Sequence, residues 1–309
     1  MIGLFIWFVL TAFLELVAIV FFARHIFPNL PMWPHFRYRP IKKVWRFSAS
    51  MYGISLVAIL LTQMDRFAVG SYLGLDALGL YSISYSLAAG ITLIQTALNA
   101  TALPAFSASS DDPSRDVLLR RYQKFAQITG WIVSPVVAAL ILFGEAVVTV
   151  WIDAPTAEQI AGPIALLAAG FCLNAFYSNT YLLGVACGHP EFFLRANVIG
   201  LIFYGAVLVL GITEFGIIGA ALAWFALNLY YFGAVMPVAH HHFKLGHVFF
   251  WLVKNFGVFT IVALVAFGVT EALIFTFSAI WKVLAGLSVS ILFYLILSYY
   301  FRLFGKICG

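Results

Sequence analysis

Long runs without a single polar residue constrain this chain more than any other feature. Residues 136–142 and 261–267 are apolar at every position, and each lies inside a longer apolar stretch. Hydrocarbon solvates such segments, but there the backbone must satisfy its own hydrogen bonds, which leaves helices or closed barrels. Barrel strands alternate in polarity; these runs do not, so the chain reads as helical. Composition agrees. Of the 309 residues, 63% are apolar and 9% charged, against about 45–50% and about 25% in soluble domains. Too few charges remain to coat a water-facing surface, and a soluble globular domain is excluded.

A span takes about 20 mostly apolar residues. Nine segments qualify: 3–23, 47–69, 78–104, 125–151, 162–185, 196–213, 215–236, 255–274 and 278–301. The expected fold class is therefore all-α, a polytopic membrane protein of about nine transmembrane helices. Fifteen of the 17 Lys and Arg then fall on one side. Arg24, Arg37, Arg39, Lys42, Lys43 and Arg46 precede the second span, and Arg115, Arg120, Arg121 and Lys124 follow the third. Arg195 follows the fifth, Lys244 and Lys254 the seventh, Arg302 and Lys306 the ninth. Only Arg66 and Lys282 fall toward the other side, whose loops carry Asp76, Asp153, Glu158, Glu214 and Glu271.

The positive-inside rule places the basic loops and the C-terminus in the cytoplasm and Met1 outside. The net charge of +5 is thus membrane topology, and no nucleic-acid partner is implied. The first segment lacks the basic leader and small-residue cleavage site of a signal peptide, so it reads as a permanent span. Carriers without a signal peptide usually start in the cytoplasm. An outside N-terminus therefore leads to the expectation that an odd number of helices precedes this chain in a longer carrier.

Ionisable groups at membrane depth are functional candidates by default. On the second span Ser48, Tyr52, Ser55, Thr62 and Arg66 recur at spacings of 4, 3, 7 and 4, one helix face, with Asp65 beside Arg66. One reading is a polar wall of an aqueous cavity, with Arg66 meeting an anionic substrate and Asp65 orienting it or binding a coupling cation. The other is an ion pair at the membrane boundary, since Arg66 lies about one span beyond Arg46. On the third span Ser82, Ser86, Thr92, Gln95, Thr96 and Asn99 occupy about half the helix circumference. They line a cavity or bond neighbouring helices; six such residues exceed what one helix contact needs, which favours the cavity. Glu15, in the middle of the first span, is either a proton or cation coupling site or a protonated carboxyl bonded to a neighbour. Asn174, Ser178 and Tyr181 share a face beside Asn179, where interhelical hydrogen bonding is expected.

Other polar features carry less chemistry. His240, His241, His242 and His247 look like a metal tract, but they sit at a helix end, where His serves the helix dipole and the headgroup region. Cys172, Cys187 and Cys308 form no CxxC pair and imply neither a disulfide nor a metal site. Glu191 and Arg195, four apart, read as an interfacial pair. Pro104, Pro135 and Pro163 mark kinks or helix starts. GxSxG, HExxH, P-loop and usable DxD patterns are all missing. No catalytic residue, cofactor or enzymatic activity is expected.

The second and third spans resemble a known family. Gln63-Met64-Asp65-Arg66-Phe67-Ala68-Val69-Gly70, Leu73-Gly74, Ala77-Leu78-Gly79-Leu80-Tyr81-Ser82 and Tyr85-Ser86-Leu87 are similar to the seventh and eighth helices of polysaccharide flippases. Leu103-Pro104-Ala105-Phe106-Ser107 resembles the end of that eighth helix, and residues 145–151 the close of the ninth. Phe192, Arg195 and Asn197, then Gly216-Ile217-Ile218-Gly219-Ala220-Ala221-Leu222-Ala223, resemble turns around the eleventh and twelfth. These motifs, spread over about residues 35–240, identify the chain as similar to the O-antigen and capsule (Wzx-like) branch of the multidrug/oligosaccharidyl-lipid/polysaccharide exporter superfamily.

That resemblance implies two six-helix lobes. On this scheme residues 1–23 resemble the last helix of a truncated first lobe, and 24–46 form a basic cytoplasmic loop. Residues 47–240 form the six-helix second lobe, and 241–309 two additional helices. Five helices would then precede the chain, which agrees with the parity drawn from charge. The resemblance further implies a bacterial inner membrane and transfer of undecaprenyl-diphosphate-linked oligosaccharide for O-antigen, capsule or exopolysaccharide synthesis, by alternating access. Arg66 would meet the diphosphate, the polar faces of spans two and three the sugar, and Asp65 or Glu15 a coupling ion. Partners would be the lipid-linked substrate, membrane lipids and other polysaccharide assembly proteins. Competing readings are a multidrug-type cation antiporter, which would favour buried acids over Arg66, and a membrane-embedded polymerase, which the short outside loops disfavour. A non-transporting assembly scaffold is a third.

Overall fold

A computed structural model of the chain describes residues 2–26, 38–110 and 115–307. Arg37, in the basic loop, and Cys308 lie outside those residues. The described residues fall into two compact units, Met1–Arg46 and Phe47–Gly309. In the smaller, α1 (Ile2–Ile26) is apolar except at Thr11, Glu15 and its Arg24–His25 end. Its one hydroxyl, Thr11, donates to the Trp7 carbonyl at 2.9 Å, so it adds no unsatisfied donor to an apolar surface.

α2 runs from Tyr38 to Leu73, so the stretch expected as loop up to residue 46 is already helical from Tyr38. Pro40 permits this because it sits in the first turn, where its missing N–H has no partner to lose. At 36 residues the helix is about 54 Å long, well beyond the ~30 Å hydrocarbon layer. α3 (Leu75–Ser107), α4 (Asp116–Trp151) and α5 (Ala154–Ala186) likewise outrun their apolar segments. Pro104, Pro135 and Pro163 all lie inside these three continuous helices.

Eight helical segments are long and apolar enough to cross a membrane among the described residues. One of them, Pro190–His242, is 53 residues long, about 80 Å if straight and far too long for one crossing. It is a hairpin. α6 (Pro190–Tyr230) breaks at Gly216, whose φ of 58° lies in the left-handed region, open to glycine without strain. The two arms double back so closely that Gly211 and Gly219 touch backbone to backbone. Tyr230 donates to the Ala196 carbonyl across the same hairpin at 3.3 Å. Counting both arms gives nine apolar segments of membrane-spanning character among the described residues. A wide π turn at Tyr231–Val235 continues the second arm into α7 (Met236–His242).

α5 is the axis of the larger unit, packed by α3, α4 and α6, and most of its length is buried. Its small residues explain the closeness: Gly170 lies against the Trp224 ring and Gly184 against Phe193. Two further spans follow α7. α8 (Val248–Leu252) joins α9 (Val258–Leu273), and α10 (Ala279–Trp281) joins α11 (Leu287–Ile307), each through a π turn. They dock on α4 through Phe143, Ala263, Ala266, Phe267 and Tyr294.

Candidate functional site

The polar residues of α2 and α3 separate by depth. Asp65, Ala68 and Val69 share the inward face of α2 with Ile54 and Leu61, and Asp65 is fully buried. Its carboxylate accepts the Tyr81 hydroxyl at 2.7 Å and the Arg66 backbone N–H at 2.8 Å. One carboxylate thus bolts α2 to α3, and the left-handed Gly74 (φ 89°) between the helices brings the two residues together.

Arg66 leaves the helix about 100° further round and is half-buried. Its guanidinium lies over the Tyr85 ring, 4.2 Å from the centroid, a cation–π contact. The Arg66 Nε is buried with no hydrogen-bond partner among the described residues. Tyr85 packs edge-on against Phe171 and Trp224, and Trp224 against Tyr204. The Tyr204 hydroxyl and Trp224 Nε1 are also buried without partners among the described residues. A cation, a carboxylate and three tyrosines therefore meet where α2, α3 and α6 converge.

Around this centre the remaining candidates split. Tyr52, Ser55, Ser86 and Thr96 are exposed, while Thr62, Ser82 and Thr92 are half-buried. Ser55 donates to the Met51 carbonyl, Thr62 to Ala58 and Thr96 to Thr92, at 3.1, 2.9 and 2.7 Å. Such back-bonding satisfies each hydroxyl proton in an apolar setting and leaves the oxygen free to accept. Gln95 and Asn99 turn inward instead. Gln95 donates to Asn174 Oδ1 at 3.2 Å, and Asn174 donates to Asn228 Oδ1 at 2.8 Å. Asn99 Oδ1 accepts from Ser178 at 3.2 Å. These amides tie α3, α5 and α6 together, the bonding expected of Asn174 and Ser178. Glu15 is exposed on α1, in the smaller unit.

Within the histidine run, His241, His242 and His247 stay exposed at helix ends, and His240 alone departs from that expectation. His240 is not a surface cap: it is 2% exposed, and its Nε2 lies 2.8 Å from the Tyr122 hydroxyl. That hydroxyl also lies 2.8 Å from Thr180 Oγ1, and the Tyr122 ring stacks on Trp251 at 5.2 Å. The sequence signal for Tyr81 and Tyr85 was their spacing of four, which puts both rings on one face. Tyr122, Thr180, Tyr204 and Trp224 carried no local signal.

Comparison with known proteins agrees with this architecture. Residues 2–154 match the family described as polysaccharide biosynthesis protein. A Shigella flexneri protein assigned as an O-antigen transporter is 23% identical over 190 residues, 62% of this chain and 45% of that protein. The structure of the lipid II flippase MurJ, in an inward closed conformation, aligns with a TM-score of 0.67 at 17% identity. That alignment covers 84% of this chain and 54% of the flippase, a likeness of fold. The chain spans about half the length of these relatives.

Proposed function

From the likeness to polysaccharide-biosynthesis proteins and flippases we propose that the chain belongs with them and serves in moving undecaprenyl-diphosphate-linked oligosaccharide across the bacterial inner membrane. The observation that carries this reading is the division of labour at Asp65 and Arg66. Asp65 is locked inward by Tyr81 and the Arg66 N–H. The Arg66 side chain is held half-buried over Tyr85 rather than consumed in a carboxylate pair. A cation kept at membrane depth by an aromatic face is suited to a diphosphate, which offers the charge-assisted bonds it lacks.

The hydroxyls of Ser55, Thr62, Ser82, Ser86, Thr92 and Thr96, with Tyr52, supply acceptors along the same two helices for sugar hydroxyls. Transfer proceeds by alternating access, with the lipid tail remaining in the bilayer. Of the two coupling candidates, Asp65 is buried in the larger unit and Glu15 exposed on α1, which favours Asp65. The basic loops and C-terminus face the cytoplasm, where other polysaccharide assembly proteins meet the carrier.

The test is complementation of a flippase-deficient strain by the full open reading frame that carries this chain. Arg66→Ala is expected to abolish surface polysaccharide at wild-type membrane levels, and Arg66→Lys to retain part of it. Unchanged export by Arg66→Ala removes the anion role.

A further inference from the structure

A second cationic feature lies away from Arg66, at the end of the larger unit where α3, α5 and α7 finish and α4 and α6 begin. A cavity of about 310 Å³ is lined there by Ser110, Arg115, Gly188, His189, His242 and Phe243 among others. Five helix ends converge on it, and the basic residues Arg120, Arg121 and Lys124 follow on the first turns of α4. Arg115 spends one guanidinium nitrogen on the Phe243 carbonyl at 3.2 Å, which anchors the group and leaves its other donors for a ligand. The ring centroids of His189 and His242 are 5.9 Å apart, nearly perpendicular; His189 Nδ1 faces Glu191, so His242 is the ring that adds an N–H donor to the lining. α6 begins at Pro190, directly after the lining residues, so the positive end of its dipole adds to the same field. Carboxylates temper it: Glu191 Oε1 lies 3.4 Å from His189 Nδ1, Asp116 follows Arg115 in the first turn of α4, and Asp111 and Asp112 lie outside the described residues.

We propose that this cavity is a binding site for a phosphate group, supplied by an anionic phospholipid headgroup or by free inorganic phosphate. Fork-shaped Arg donors and ring N–H groups match phosphate oxygens. A basic pocket between helix ends at a membrane interface is placed to take a lipid headgroup while the acyl chains remain in the bilayer. The site is separate from the Asp65–Arg66 centre and does not depend on the transport reading.

The experiment uses the full chain in nanodiscs of phosphatidylcholine alone, of phosphatidylcholine with phosphatidylglycerol, and of phosphatidylcholine with added inorganic phosphate. Unfolding temperature and native mass spectrometry of retained lipid are the readouts. Stabilisation by phosphatidylglycerol alone identifies a headgroup site, and equal stabilisation by inorganic phosphate a free-phosphate site. Arg115→Gln and His242→Gln should each weaken binding by about tenfold, the loss of one charge-assisted bond. Because Arg115 also holds the Phe243 carbonyl, His242→Gln is the variant that tests the site without touching that anchor. Lys124→Gln, exposed on the same end but outside the cavity, should leave binding unchanged. The proposal is overturned if neither anion binds, or if Lys124→Gln weakens binding as much as the two cavity variants do.

Discussion

Replacing Tyr122 by Phe removes one oxygen from the interior of the larger unit and little else. The ring stays stacked on Trp251, 5.2 Å away, so packing is nearly conserved. What disappears is the hydroxyl that stands 2.8 Å from both Thr180 Oγ1 and His240 Nε2. Thr180 is fully buried and His240 2% exposed, so water does not replace the lost partner. An orphaned buried polar group costs about 1–3 kcal/mol, while interhelical hydrogen bonds within membranes average about 0.6 and reach about 1.7 kcal/mol. Thr180 can recover by donating to a carbonyl one turn back; the His240 nitrogen has no such recourse. The expected loss is therefore about 1–2 kcal/mol, a fall of roughly 2–6 °C in unfolding temperature for a chain of this size. The assay is thermal unfolding of detergent-solubilised protein, run as a cycle with Thr180→Val. Since both changes break one bond, the double variant should lose less than the two single losses combined, by at least about 0.5 kcal/mol. A shift within 1 °C for Tyr122→Phe, or strict additivity, would refute the reasoning.

Gly219→Ala should disrupt the α6 hairpin, because its new Cβ would run into the Gly211 backbone, which cannot yield as a side chain can. Overpacking usually costs about 1–3 kcal/mol, and a backbone clash belongs at or above the top of that range; membrane yield and thermal stability report it, and wild-type behaviour would count against the hairpin. Asn174→Leu removes the amide that links Gln95 to Asn228 and should lower stability by about 1 kcal/mol, from two bonds at the membrane average, readable by the same thermal assay. At the start of α5, Asp153 Oδ1 accepts the Thr156 N–H at 2.7 Å, which holds its carboxyl below the usual carboxylate range. Its contribution is thus present above the ordinary value near 4 and fades as pH falls below it. Asp153→Ala should therefore lower stability at pH 7 and bring no penalty at the acid end, with Asp153→Ser largely neutral at both; an equal loss at every pH would contradict the cap.

Much of the fold was legible because hydropathy is a local property. Whether a segment crosses a membrane depends on its own 20 or so residues, and the eight long apolar helices among the described residues, one of them a 53-residue hairpin of two arms, fall on the expected segments. Helix ends were less legible: α2 starts at Tyr38, since the backbone keeps its bonding pattern past the point where apolarity ends. Polar side chains were harder still. Ser55 and Gln95 both read as cavity lining, yet one stays exposed on its own helix and the other bonds across to α5.

The sequence by itself determined that the chain is helical, membrane-embedded and many-spanned, because a chain with so few charges has no other way to satisfy its backbone in hydrocarbon. Only the tertiary structure decided which neighbour each polar group meets. Asp65 and Arg66 are adjacent in sequence, but about 100° of helix rotation sends one to Tyr81 in the interior and the other to the rim over Tyr85. His240 becomes an interior partner of Tyr122, 118 residues away. Such pairings follow from how helices pack, and packing is set by residues far apart in the chain.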